Sequence, residues 1–337
     1  MNRCFSLHAG LCVILLLLLV LPVLGHVPLT AGENTGLDAA TVIDQPEKSF
    51  VIYGHLHEPG DVAYYRFDMS AGQKLHVSLM TTGKGAPVPD LIIMGPSLLS
   101  SGIPPASLTV PHDTGVIAIN GRPPQAPGYE PFTPSATFEV ASYSMPVPAT
   151  GTYYVAVHTA GGEQGYSLAP GFKEEFSAAE WLFVPVNVIG IHVWEGQSPF
   201  VVLAPCIALV LLGGALLLWQ QKRRGIHRSL FSWCAILAGL LYLGGATITL
   251  TQMVRALSLT GFSPSCMITL IFAAIPIALG VWALRAGMRA SHPLPVSARI
   301  SMGIIGLLGL LFWAGLIIGP VIAFVAAIVP AGTQQGP

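Results

Sequence analysis

Residues Pro199–Arg224 read PFVVLAPCIALVLLGGALLLWQQKRR, an uncharged, mostly apolar run closed by Trp219 and the cluster Lys222, Arg223 and Arg224. About twenty apolar residues at helical rise cross the hydrocarbon core of a bilayer. Short loops rich in Lys and Arg stay cytoplasmic, so the basic cluster orients the span. The chain before Pro199 is therefore expected outside, and the chain after it in the membrane.

Composition agrees with this division. Of 337 residues, 53% are hydrophobic and only 9% charged, with a mean hydropathy of +0.67; a soluble chain carries roughly 25% charged residues. All 16 Asp and Glu lie between Glu33 and Glu195, beside six Lys/Arg, a net of −10. From Pro199 onward there is no acidic residue and there are eight basic ones. An acidic outer half argues against nucleic acid as a partner. Cys4 and Cys12 lie in the leader and Cys206, Cys234 and Cys266 in apolar runs, so the outer half is expected to have neither disulfides nor a cysteine metal cluster.

Three further spans are expected at Leu230–Gln252, Pro264–Leu284 and Ile300–Ile328, the last kinked at Pro320. Seven of the eight basic residues fall in loops 220–229 and 285–299, read as cytoplasmic, and one, Arg255, in the outer loop. No side chain in the four spans is ionisable, which counts against ion-coupled transport by this chain alone. Gly315 and Gly319 form a GxxxG in the last span, suited either to packing within the bundle or to a homo-oligomer.

Ahead of the spans, Met1–Gly25 has Arg3, an apolar run and a small residue at its end, the pattern of a signal peptide. Residues 26–46 read as an irregular lead-in. Residues 47–171 then carry short strand signals divided by Pro and Gly turns: SFVIYGHLH, VAYYRFDM, KLHVSLM, DLIIM, SLTVP at Ser107–Pro111, GVIAIN, ATFEVASY, GTYYVAVH and GYSLA. Leu75, Val77 and Leu79 alternate with His76 and Ser78, the period of a half-buried strand. The expected fold is an antiparallel, jelly-roll-like β-sandwich, with Arg122–Pro134 as one long loop. The fold class of the whole chain is thus an all-β sandwich followed by an all-α bundle of four membrane helices over 199–329, and an outer tail at 330–337.

The runs GHLHEPGDVAYYRFDMSAGQKLHVSL, PDLIIMGPS and PATGTYYVAVHTAGGEQGYSLA, within Ser49–Ala169, together resemble the bacterial pre-peptidase C-terminal (PPC) domain. That resemblance implies a small sandwich used as an appendage for binding or secretion, without catalysis. Members commonly carry an acidic residue where this chain has Ala63, and some bind calcium; the missing carboxylate counts against that property here.

Residues 172–198 join the halves. Ser177 and Glu180 have capping-box spacing, predicting a helix from Ala178 that Pro185 kinks or ends. Trp181 and Trp194 flank this segment and, with Trp219, read as anchors at the bilayer interface. His55, His57, Glu58 and Asp61 are the candidate metal ligands, weighed against a solvated strand face. No nucleophile–base–acid order is recognisable, and no cofactor is expected. The reading is a non-enzymatic multi-pass protein that presents a sandwich for binding or envelope assembly. Its partners would be membrane lipid and another envelope or membrane protein. The alternative is a subunit of a transport or sensory complex.

Overall fold

The computed structural model describes residues 26–81, 83, 85, 87–290 and 293–329; the leader with its cleavage point and the 330–337 tail lie outside the described residues. Eleven strands among these residues form two facing sheets. In chain order they are β1 (Val27–Thr30), β2 (Thr41–Val42), β3 (Phe50–Leu56), β4 (Val62–Met69), β5 (Lys74–Thr81), β6 (Asp90–Gly95), β7 (Gly115–Ile119), β8 (Gly128–Glu130), β9 (Ser135–Pro146), β10 (Gly151–His158) and β11 (Gln164–Pro170). One sheet runs β1-β3-β11-β5-β9-β8 and the other β2-β4-β10-β6-β7.

Alternation decides which side chains fill the space between the sheets. Tyr65 and Phe67 of β4, Leu75, Val77 and Leu79 of β5, and Tyr153, Val155 and Val157 of β10 are all fully buried in one cluster. Among them Tyr65 and Tyr166 share a hydrogen bond of 2.6 Å between hydroxyls, which satisfies both polar ends inside the core. Gly54 makes room for that pair: a Cβ at this position would stand 2.4 Å from the Tyr166 ring.

Several local expectations change. The sheets are mixed, because β1 pairs with β3 and β2 with β4 in parallel. Both extra strands come from the 26–46 lead-in, which therefore covers sheet edges and is not irregular throughout. Ser107–Pro111 forms no strand; the Tyr64 hydroxyl accepts the Thr109 N–H at 2.8 Å, tying the segment down as a loop. The proline-rich run contains β8, a three-residue strand on β9.

Six helices follow: α1 (Ala178–Trp194), α2 (Pro199–Arg224), α3 (Leu230–Thr260), α4 (Cys266–Met288), α5 (Val296–Leu311) and α6 (Ile318–Ile328). The capping box at Ser177 and Glu180 is formed in both directions. α1 does not stop at Pro185. Proline removes the N–H that would bond the carbonyl four residues back, here Trp181, and the Trp313 indole N–H donates to that carbonyl at 2.8 Å instead.

α2, α3 and α4 are long and apolar enough to cross a membrane. α3 runs to Thr260, two turns past the expected end at Gln252, and packs against α2, α4 and α6. The fourth expected span is two shorter apolar helices of 16 and 11 residues. The break falls at Phe312–Ile317 and not at Pro320, which sits inside α6 where the first turn needs no proline N–H. Trp313, Gly315, Leu316 and Ile317 all have positive φ there, a conformation that L side chains adopt at a cost.

The GxxxG consequently has no helical face: Gly315 lies in the break and Gly319 in α6. Both glycines lie against the Tyr242 ring of α3, where a Cβ would come within 2.6 and 3.2 Å of ring carbons. The small residues serve a close approach inside this chain, around a tyrosine whose hydroxyl donates to the Ile305 carbonyl at 3.1 Å.

Candidate functional site: the cleft between the sandwich and the helices

The outer face of the six-stranded sheet is covered. Strand β11 is buried at every position, although only alternate residues can point into the sandwich. The other face lies under α1, with residues 130–133, from the end of β8 toward β9, beside it. Lys48 pairs with Glu180 at 2.9 Å near the start of α1, and Tyr53 packs on Trp194 at 4.8 Å at its end. α1 therefore lies along the sheet, while Leu182, Phe183, Val186 and Val193 remain exposed on it. A helix apolar on both its covered and its open side is suited to lipid on the open side.

Between sheet and helix is a cavity of about 130 Å³. Val51, Tyr53, Met80 and Ser167 of the sheet form its roof; Asn187, Ile191 and Trp194 of α1 form its floor. Glu130, Phe132 and Trp313 close one side and Glu195 another. The lining is mostly apolar or aromatic, with a few polar groups, the usual makeup of a small-molecule site.

Glu130 reaches this cleft from β8. One carboxylate oxygen accepts the Phe132 N–H at 3.0 Å, which orients the group. Burial pushes the Glu130 carboxyl above its ordinary range, opposed by the N–H groups of Phe132 and Thr133 and aided by the charge of Glu174. The Tyr53 hydroxyl has no hydrogen-bond partner among the described residues; burial, then Glu195 and Glu130, hold its pKa well above normal. Glu195 accepts from His192 Nδ1 at 3.1 Å and Gln197 at 3.4 Å. Gln197 and Gln252 then exchange two hydrogen bonds of 3.0 and 2.9 Å, fastening the cleft's lower wall to α3.

The loop before β9 docks into the helices beside the cleft. The Thr269 hydroxyl of α4 donates to the Pro131 carbonyl at 2.7 Å and stands 2.7 Å from the Tyr129 hydroxyl. Phe132 meets Phe272 edge-on at 5.3 Å, and Trp313 lies between Trp181 (4.4 Å) and Phe272 (6.3 Å).

The residues singled out in the sequence are placed elsewhere or otherwise employed. His55 and His57 are exposed, and His57 lies beyond the end of β3. Asp61 accepts the His57 and Glu58 backbone N–H groups at 2.8 and 2.9 Å, so its carboxylate closes the turn. No group of three potential metal ligands occurs among the described residues. Ala63 is buried in the sandwich core. Trp181 and Trp194 dock on protein rings, whereas Trp219 is exposed with Arg223 over its ring at 4.2 Å.

Glu130, Asn187 and Gln252 went unmarked in the sequence. Each had a signal: a carboxylate between Tyr129 and Phe132, and lone amides within apolar helices. No family model matches the chain, and no curated protein matches it. Among solved structures it is similar to the 1.0 Å crystal structure of the pre-peptidase C-terminal domain of collagenase from Bacillus anthracis. That match has 18% identity and a TM-score of 0.22, and covers 38% of this chain and 91% of that one.

Proposed function

We propose that this chain is a non-enzymatic, multi-pass membrane protein whose β-sandwich stands on the extracytoplasmic side and whose binding site is the sheet–α1 cleft. The observation that carries the reading is Glu130, a carboxylate oriented by Phe132 N–H in a mostly apolar and aromatic cleft. Burying a charge-bearing group costs stability unless a partner offsets it. A ligand that pairs with Glu130 would do so. In this reading the leader is a cleaved signal peptide, loops 220–229 and 285–299 are cytoplasmic, and α5 with α6 completes a fourth crossing. Membrane lipid and another envelope or membrane protein are its partners, with α6 available for self-association through Val321 and Val325.

A photo-crosslinking side chain at Met80, in the cleft, should form adducts with bound ligand in native membranes. The same group at Asp68, on the exposed sandwich surface, should form none. Equal adducts at both positions, or none at Met80, would remove the cleft from the reading.

One observation favours the transport or sensory alternative. The α5–α6 break lines a second cavity of about 100 Å³ with Gln252, Thr249 and buried His192. Interrupted helices at membrane depth frequently line solute sites. Gradient-driven solute flux in liposomes, lost in Gln252→Leu, would promote that alternative.

A further inference from the structure

The charges around the cleft differ in kind from one end to the other. None of the residues lining the main cavity is Lys or Arg, while two carboxylates, Glu130 and Glu195, do line it. An adjoining pocket of about 50 Å³ shares Ser135, Ala136, Phe138 and Glu195 with the cavity and adds Arg255. Arg255 is exposed and belongs to no ion pair among the described residues. It lies near the end of α3, one turn beyond the Gln252 that meets Gln197. A ligand lying across both pockets therefore meets Glu130 and the aromatic rings at one end, Glu195 where the pockets join, and a guanidinium at the other end.

We infer that the cleft, taken as the binding site proposed above, holds a zwitterionic phospholipid with a primary-ammonium headgroup, drawn from the outer leaflet. The ammonium would sit against Glu130, with the free Tyr53 hydroxyl as a second acceptor and the Trp194 and Phe132 rings beside it. A primary ammonium offers three donors, enough for a carboxylate and a hydroxyl together. A quaternary ammonium has the charge but no N–H, and leaves both acceptors unbonded. The phosphate, one short linker away, falls toward Arg255 of the adjoining pocket. Guanidinium suits a phosphate oxygen pair. The acyl chains have an apolar route along the open side of α1, past Val186 and Val193.

A soluble ligand of the same charge pattern, such as free phosphoethanolamine, meets the same polar groups but makes no use of that apolar face. The lipid is the occupant the whole surface fits.

The test uses the full chain in nanodiscs, followed by detergent extraction and native mass spectrometry. Phosphatidylethanolamine should be retained as one tightly held copy. Phosphatidylcholine and phosphatidylglycerol should be retained at least tenfold less, and soluble phosphoethanolamine should bind at least tenfold more weakly. Glu130→Gln keeps an acceptor for the Phe132 N–H, so its fold should persist, and it should lower phosphatidylethanolamine retention by about 10- to 100-fold, as expected for a charge-assisted hydrogen bond. Tyr53→Phe should lower it less, and Arg255→Gln should abolish the preference over a primary alkylammonium amphiphile that lacks a phosphate. Asp61→Asn, whose carboxylate is committed to a distant turn, should change nothing. Equal retention of phosphatidylcholine, or unchanged retention in Glu130→Gln with unaltered thermal unfolding, would overturn the lipid assignment. Cleft adducts at Met80 with another compound would do the same while leaving the cleft as the binding site.

Discussion

Trp313→Phe should destabilise the seam between α1 and the helix break only while Pro185 is present. Pro185 leaves the Trp181 carbonyl without its helical donor, and the Trp313 indole supplies one at 2.8 Å. Phenylalanine retains most of the ring that packs against Trp181 at 4.4 Å but has no N–H. A buried acceptor stripped of its partner costs about 1–3 kcal/mol. In a Pro185→Ala background, residue 185 donates to that carbonyl within the helix, so the same change should cost under about 1 kcal/mol. The coupling between the two sites is then about 1–2 kcal/mol, within the range measured for neighbours that share a partner. Calorimetric unfolding of the four proteins in one detergent would give the cycle, and hydrogen exchange over 178–194 would locate the opening. Equal costs of Trp313→Phe in both backgrounds would refute the reasoning, because the indole would then act by packing alone.

A cysteine at Glu58 should react with an impermeant thiol reagent on intact cells, and one at His227 only after lysis; both sites are exposed, so the reverse result would invert the topology. Gly54→Ala should cost about 1–3 kcal/mol through overpacking, since its Cβ would stand 2.4 Å from the Tyr166 ring; unchanged unfolding would mean that the ring moves freely. Glu130 should make the protein less stable as pH rises. Its folded pKa is raised above 4.5, so the folded state keeps a proton that the unfolded chain has released, and stability falls from about there through the folded pKa. Glu130→Gln should flatten that decline in pH-dependent calorimetry, and an unchanged slope would exclude Glu130 as its source.

The half of the fold set by periodicity was legible. Alternation in Lys74–Thr81 marked a core strand, the turn-bounded run Val62–Met69 another, and uncharged runs marked α2, α3 and α4. The capping box at Ser177 was equally plain because its chemistry is local. What escaped depends on distant partners. β1 and β2 are too short to show a period and exist because β3 and β4 offer edges. Pro185 read as a kink or an end of the helix, and which of the two could not be told locally because the compensating donor, Trp313, is 128 residues further along in sequence. Gly315 and Gly319 read as a helix face because sequence spacing does not reveal that the backbone between them has left the helix.

The same non-local logic accounts for the cleft. Glu130 and Asn187 give only weak signals in sequence, one a carboxylate in a proline-rich run and one a lone amide in an apolar helix, and neither signal says what the side chain faces. They face one cavity because α1 lies along the sheet, and α1 is held there by contacts at both ends, Lys48 with Glu180 and Tyr53 with Trp194. The strained break at Phe312–Ile317 places Trp313 against Trp181, adding a third hold on the same helix. Backbone held in the left-handed region costs about 1–3 kcal/mol per residue and persists only where its surroundings over-determine it. Here those surroundings are the Tyr242 ring beneath Gly315, the Phe272 ring beside Trp313, and the Trp181 carbonyl that Pro185 leaves open. The break, the proline and the cleft floor are therefore one mechanical unit. A straight last helix would remove the Trp313 clamp, leave the Trp181 carbonyl unbonded, and free α1 to lift from the sheet that Glu130 faces.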